Sequence, residues 1–302
     1  MFRFLSQILS NPFDQLLKKA QREQKKKILI FWNRGLGDIA LGMYALVWRI
    51  KQYLPGASLS FMLRKELEEG FFLLEGIDEI IAVPNWSRGE KRETRALLQS
   101  VGIQEGQFDW IIDNPNPTKW LKWQIGRLVP KLLWRAEWDS LAQKFSLLGS
   151  DYIGVHIHSE TTYAYEKNWP LAHWKELFSL LVTEHKKKIL LFGNTPTPIG
   201  LNEENIVDLR GKTTLLEMLA IIKNHCTHLI APDSGVLSFA YYLDVNFPLH
   251  IVSLWADPRQ GILKQRVLSP NKQLIHHPLI GRKEKVENVA VDAVLRALDV
   301  KR

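Results

Sequence analysis

A chain of 302 residues is about twice a typical domain length, which predicts two domains. At 46% hydrophobic and 24% charged it has a globular composition, and its single cysteine, Cys226, excludes an intramolecular disulfide and any multi-cysteine metal site. The net charge of +8 predicts an anionic partner (phosphorylated sugar, lipid headgroup or nucleic acid), and the cysteine usage a reducing, cytoplasmic setting.

Residues 1–24 do not have the order of a signal peptide. Apolar Phe2, Phe4, Leu5, Ile8, Leu9, Phe13, Leu16 and Leu17 alternate with polar residues, and Lys25-Lys26-Lys27 follows them. No run reaches the ~18 apolar residues of a spanning helix. The spacing predicts an amphipathic helix, interrupted near Asn11-Pro12. Two readings stand side by side: a helix lying on an anionic membrane surface, or one packed on the protein itself.

From there the chain alternates strand and helix. Residues 27–32 (KILIFW) read as a buried parallel strand, 39–54 as a helix stopped by Pro55-Gly56, and 58–63, 78–83 and 108–113 as three more strands. A second cycle begins near residue 150. Its strands are 151–156, 188–192, 205–209, 228–231 and 250–255, and its helices 170–183, 214–224 and 236–243. Such alternation predicts parallel sheets with helices on both faces. The expected division is an N-terminal helical segment (1–24), a first Rossmann-like domain (25–149) and a second (150–302).

Asn33-Arg34-Gly35-Leu36-Gly37-Asp38 follows the first strand. The glycines allow positive φ and close approach of a substrate to the backbone. Asp38 is either a helix N-cap or a carboxylate at the carboxyl end of a strand, placed to take a proton from an acceptor hydroxyl. Gly35-x-Gly37-x-x-Ala40 also fits a loose dinucleotide fingerprint. The acidic residue expected after the second strand is replaced by Leu63-Arg64-Lys65, which disfavours NAD and leaves an NADP-dependent oxidoreductase as an alternative.

In the second half, Ala231-Pro232-Asp233-Ser234-Gly235 joins a strand to a helix start, which suits a diphosphate. Glu166-Lys167-Asn168-Trp169-Pro170 offers an ammonium before a helix, or simply a solvated loop with Trp169 as packing anchor. The histidines lack zinc-site spacing, and no bound metal or cofactor is expected. Trp120, Trp123, Trp134 and Trp138 alternate with Lys119, Lys122, Arg127, Lys131 and Arg135, either as a saccharide-binding face or as half-buried packing. No nucleic-acid recognition motif is visible, and no nucleic-acid partner is expected.

These segments together resemble glycosyltransferase family 9, the heptosyltransferases of lipopolysaccharide core assembly. The matching pieces stand in the family's order: Gly35-Leu36-Gly37-Asp38, the FDWIID strand at 108–113, the Glu166-to-Pro170 element, Val207-Asp208-Leu209-Arg210-Gly211-Lys212-Thr213, and Asp233-Ser234-Gly235. The resemblance covers roughly residues 26–285. It implies a GT-B fold, with two Rossmann-like doubly wound α/β domains facing across a cleft. It further implies metal-independent, inverting transfer from a nucleotide-sugar, typically ADP-heptose, to an anionic lipid-linked saccharide at the inner face of the inner membrane.

By the match, Asp38 would be the general base and Lys167 would stabilise the diphosphate leaving group with the amides of Ser234 and Gly235. Thr161, Thr162, Thr213, Thr214, Asp233 and Ser238 fall on the donor side, and Arg34, Gly35, Gly37, Lys119 and Lys122 on the acceptor side. Two positions depart from the family. Ser238 stands where its donor loop usually has a histidine, and Gly193 leads into Asn194-Thr195-Pro196-Thr197 where it tends to have a glutamate. These departures predict a different sugar or base, or weaker activity. A non-catalytic glycan-binding descendant is a further alternative.

Overall fold

A computed structural model of the chain describes residues 11–113, 115, 120–160, 166–194 and 205–299. Asn11 and Pro12 begin a helix. The Asn11 side chain accepts a hydrogen bond from the Phe13 amide at 2.9 Å, and Pro12 occupies the first turn of α1 (Pro12–Arg22), where a missing N–H costs nothing. The apolar side of α1 is spent inside the protein. Phe13 and Leu17 are fully buried, Phe13 stacks on Trp120 at 4.7 Å, and Asp14 holds Arg49 through two hydrogen bonds of 2.9 and 2.7 Å. For residues 11–24, packing on the protein is therefore the reading that holds; residues 1–10 lie outside the described residues. Among the described residues no helix is long and apolar enough to cross a membrane.

The chain divides into two units, Met1–Leu132 and Leu133–Arg302. The first contains β1 (Lys27–Trp32), a π-helical turn (Ile39–Met43) running into α2 (Tyr44–Tyr53), β2 (Ser58–Arg64), α3 (Glu68–Phe72), β3 (Glu79–Val83), α4 (Thr94–Ser100) and β4 (Trp110–Asp113). Its sheet has the order β3-β2-β1-β4, all parallel. In β1 every residue from Ile28 to Trp32 is buried, as an inner strand covered on both faces requires. The Asp109 carboxylate accepts from the amides of Lys26 and Lys27 at 2.8 and 2.9 Å, tying the start of β4 to that of β1.

The second unit contains β5 (Tyr152–His156), α5 (Leu171–Ser179) with a π-helical extension (Leu180–Glu184), β6 (Lys188–Phe192), β7 (Ile206–Asp208), α6 (Leu215–His225), β8 (Cys226–Pro232), α7 (Gly235–Tyr242), β9 (Leu249–Trp255), α8 (Gly261–Gln265), β10 (Leu274–Ile280) and α9 (Val291–Ala297). Its parallel sheet runs β10-β9-β8-β5-β6-β7. From β5 the chain winds outward through β6 to β7, then returns past β5 to β8 and winds the other way. Right-handed crossovers in opposite directions place helices on opposite faces. Ile153, Val155, Ile189 and Leu191 pack with Trp174, Leu177 and Phe178 of α5 and Val294 and Leu295 of α9 on one face. Helices α6 and α7, which touch each other, belong to the other.

Residues 133–149, assigned by sequence to the first domain, lie in the second unit. A 3-10 segment (Ala136–Phe145) runs along α6, with Asp139 2.9 Å from Lys223 and Lys144 2.7 Å from Glu217. The strand β10 is absent from the sequence reading. Its LIHHPLI pattern carries Pro278, which an edge strand such as this one tolerates. The expected class, two doubly wound parallel-sheet domains of GT-B type, is borne out.

Candidate active site

In the second unit the strand order reverses between β5 and β8, the place where open parallel sheets bind ligands beyond their carboxyl ends. Both strands deliver a charged residue there. Asp233 follows directly on β8, and Lys167 sits in the β5–α5 connection. The Lys167 ammonium is 2.7 Å from the Asp233 carboxylate, and the two side chains are only 11% and 10% exposed. Lys167 is placed by its neighbours. The Asn168 side chain accepts from the Ser159 amide at 2.7 Å and donates to the Ser159 carbonyl at 3.1 Å, closing the loop on itself. Trp169 is buried, donates its indole N–H to the Val289 carbonyl at 2.9 Å, and meets Trp174 edge-on. Trp169 is thus the packing anchor the sequence allows for, but Lys167 beside it is not a solvated residue.

Beyond Asp233 the chain enters α7. Ser234 has extended backbone angles, and its hydroxyl accepts from the Leu237 amide at 3.2 Å, the ordinary N-cap arrangement. The first-turn amides of a helix have no acceptor within it, so the start of α7 presents donors and a positive dipole end next to Lys167. Ser238 is buried one turn on, and its hydroxyl donates to the Ser234 carbonyl at 3.1 Å. That bond turns its side chain back along the helix.

Thr214 caps α6 in a reciprocal pair with Glu217. The Glu217 amide donates to its hydroxyl at 3.3 Å and its own amide donates to the Glu217 carboxylate at 2.9 Å. Thr213 is half-buried beside it, at the same edge of the sheet. Thr161, Thr162 and Thr197 lie outside the described residues. His156, the last residue of β5, is buried; loss of solvation, and secondarily His158, pulls its pKa down to about 4, so it is a neutral imidazole at the floor of this edge.

In the first unit the order reverses between β1 and β4, and the Gly35-to-Asp38 turn follows β1 at that point. The Gly35 amide donates to the Asp38 carboxylate at 3.2 Å, so the carboxylate folds over its own turn. Asp38 directly precedes the π-helical turn and makes no side-chain N-cap bond. Neither Gly35 nor Gly37 is among the glycines with positive φ. The need for glycine at 35 is close approach: a Cβ there would lie 3.1 Å from an Arg88 guanidinium nitrogen and 3.3 Å from an Asp38 oxygen.

Arg88, in the loop after β3, is thus brought to the Gly35 turn by the fold, and no motif in the sequence marks it. The Arg34 guanidinium lies over the Trp32 ring at 5.7 Å, and its carbonyl accepts from Arg64 at 3.2 Å. Lys122 is exposed in a 3-10 turn, and Lys119 is outside the described residues. The indoles of the same sequence stretch are engaged in packing: Trp123 with Trp48 and Arg49, and, in the second unit, Trp134 edge-on to Trp138. Among the described residues no three His, Cys, Asp or Glu side chains are grouped to hold a metal ion.

Residues 130–249, which include Lys167, Thr214 and Asp233-Ser234-Gly235, match the model of Glycosyltransferase family 9 (heptosyltransferase). The match spans about two-fifths of the chain and marks this segment as similar to that family. The resemblance read from the motifs and the enzyme class, glycosyltransferase, are thereby borne out; Asp38 falls outside the matched segment. No curated protein matches by sequence.

Solved structures share the fold of this chain. ADP-heptose lipopolysaccharide heptosyltransferase II of E. coli superposes with a TM-score of 0.63 at 20% identity, covering 90% of this chain and 97% of that one. The family 9 glycosyl transferase of Veillonella parvula gives 0.62 at 16% identity, covering 91% and 96%. The E. coli heptosyltransferase WaaC with ADP gives 0.54 at 15% identity, covering 90% and 97%.

Proposed function

We propose that this protein is a family 9-like glycosyltransferase that transfers a sugar from a nucleoside diphosphate donor to an anionic saccharide, with inversion and without a metal. The observation that carries the reading is the nearly buried Lys167–Asp233 pair beside the start of α7, where the strand order of the second sheet reverses. In this mechanism Asp38 takes the proton of an acceptor hydroxyl. The oxygen bonds to the anomeric carbon as the bond from that carbon to the donor phosphate oxygen breaks, and the nucleoside diphosphate leaves with the electron pair. Negative charge grows on the departing phosphates, where the Lys167 ammonium and the amides of Ser234 and Gly235 stabilise it. Preorganised donors of that kind supply what a divalent cation supplies elsewhere.

The E. coli heptosyltransferase WaaC binds ADP and ADP-2-deoxy-2-fluoro heptose, which supports an ADP-linked heptose as donor. The net charge of +8 supports a negatively charged acceptor, and a lipid-linked saccharide at the cytoplasmic face of the inner membrane is the substrate named by this reading. The test is thermal denaturation with ADP, UDP and GDP, followed by transfer from the matching nucleotide-sugar. Ligand binding to the native state raises the melting point in proportion to the logarithm of concentration over Kd. Selective stabilisation by one diphosphate is expected, and stabilisation by none would overturn the proposal.

A further inference from the structure

Asp233 has a second neighbour besides Lys167. Gly261, at the start of α8, has φ of +49°, and a Cβ on it would meet the Asp233 carboxylate and lie 2.7 Å from the Trp255 ring. The glycine backbone is therefore wedged between that carboxylate and that indole, and only a residue without a side chain fits. Trp255 ends β9 directly beside the end of β8, since Pro232 pairs with Leu254. Its ring is buried and fixed from below: its Nε1–H donates to the Ser253 hydroxyl at 2.6 Å, and that oxygen lies 2.7 Å from His276 Nε2.

An indole nitrogen can only donate, so the serine oxygen accepts from Trp255 and also shares a hydrogen bond with His276 Nε2, its direction set by the imidazole tautomer. Burial, and secondarily His277, hold the His276 pKa down to about 4, which keeps the imidazole neutral at neutral pH. His276 in turn meets Tyr241 of α7 edge-on at 5.1 Å. The chain of contacts thus runs from α7 through β10 and β9 to the loop that presses on Asp233.

We propose that Gly261 and Trp255 are positioning residues that set the Asp233 carboxylate against Lys167, and so aim the lysine at the donor diphosphate. This rests on the donor-site reading given above. Both residues lie outside the segment that matches the family model. They touch neither phosphate nor sugar in this scheme; they act through Asp233.

The experiment is a double-mutant cycle on ADP affinity, with Gly261→Ala, Asp233→Ala and the pair, each checked by circular dichroism. Gly261→Ala is expected to weaken ADP binding by about tenfold. In the Asp233→Ala background the same change is expected to cost less than about twofold, because its target is gone. Independent, multiplying losses would overturn the proposal. Trp255→Phe, which removes the distal ring and the N–H while keeping an apolar side chain, runs the same cycle should Gly261→Ala not fold. If the wild-type protein binds no nucleoside diphosphate, the donor-site reading itself fails; if it binds one and the losses multiply, only the positioning role does.

Discussion

Lys167 and Asp233 are 66 residues apart in sequence and 2.7 Å apart in space, with about nine-tenths of each side chain withdrawn from solvent. A pair this deep loses much of its hydration and is stable only while both members are present. It also holds the ammonium at one point, which a flexible surface lysine would not do.

Lys167→Met therefore has two expected consequences. Transfer falls by roughly 10²–10³, the usual loss when a preorganised charge-stabilising donor is removed. The melting temperature also falls, because the Asp233 carboxylate is left without its cation; Lys167→Met with Asp233→Asn recovers part of that loss but not the rate. Steady-state transfer and calorimetry on the three variants check this. Equal rates for Lys167→Met and wild type would remove Lys167 from the chemistry.

Asp38→Asn preserves shape and abolishes basicity. The expected outcome is a loss of about 10²–10⁴ in transfer, with nucleotide affinity unchanged. Gly35→Ala offers a steric counterpart, since its methyl would press on Arg88 and Asp38 together. It should lower transfer with a much smaller change in melting temperature. Single-turnover rates and nucleotide titrations report both.

Thr214 has its hydroxyl engaged in capping α6. Thr214→Ala is expected to cost about 1 kcal/mol of stability. Its effect on nucleotide affinity decides whether the residue also serves the donor. An unchanged Kd assigns it to the cap alone, and a Kd raised severalfold with Thr214→Ser close to wild type assigns it to both.

Acid should destabilise this protein well above the carboxylate range. His156, His228 and His276 are each held near pKa 4, chiefly by burial, against an ordinary value of 6.5. Between those two values the unfolded chain binds more protons than the folded one, so stability increases with pH and is lost as pH falls from 6.5 toward 4. For fully buried His156 the loss is on the order of 3 kcal/mol at most. Urea unfolding at pH 7 and pH 4.5 should show a clear drop, and His156→Phe should show a smaller one. Equal drops would mean that His156 takes up its proton in the folded protein as readily as in the unfolded one.

The strands were the most legible part of the chain. Lys27–Trp32 and Lys188–Phe192 coincide with their sequence assignments because each is a continuous apolar run bounded by a lysine and a turn residue. Helix starts were nearly as clear where a capping residue marks them, as at Thr214 and Ser234. Pro278 and the paired histidines concealed β10, since an edge strand need not alternate or donate on its outer side.

The candidate site was legible only in pieces. Asp233-Ser234-Gly235 and Lys167 could be named from local motifs, but their contact depends on β8 lying next to β5, which comes from the whole winding of the sheet. Arg88, Gly261 and Trp255 carry no local signature; their importance comes from what they press against. The glycines of the first turn were read for positive φ and for close approach of a substrate, whereas Gly35 makes room for the protein's own Arg88 and Asp38. Ser238 was grouped with the donor contacts by position in the chain, and its hydroxyl is instead bonded within α7.

The turn from Ile39 to Met43 is wound one residue wider than an α-helix, and Asp38 is the residue immediately ahead of it. Each residue of an α-helix advances the chain by about 100° around the axis. Deleting one residue within that turn would leave an unbroken helix of sound composition and swing the carboxylate by roughly a quarter of a revolution or more. The bearing of the proposed base is thus written in residue count, and a survey of side chains alone would never register its loss.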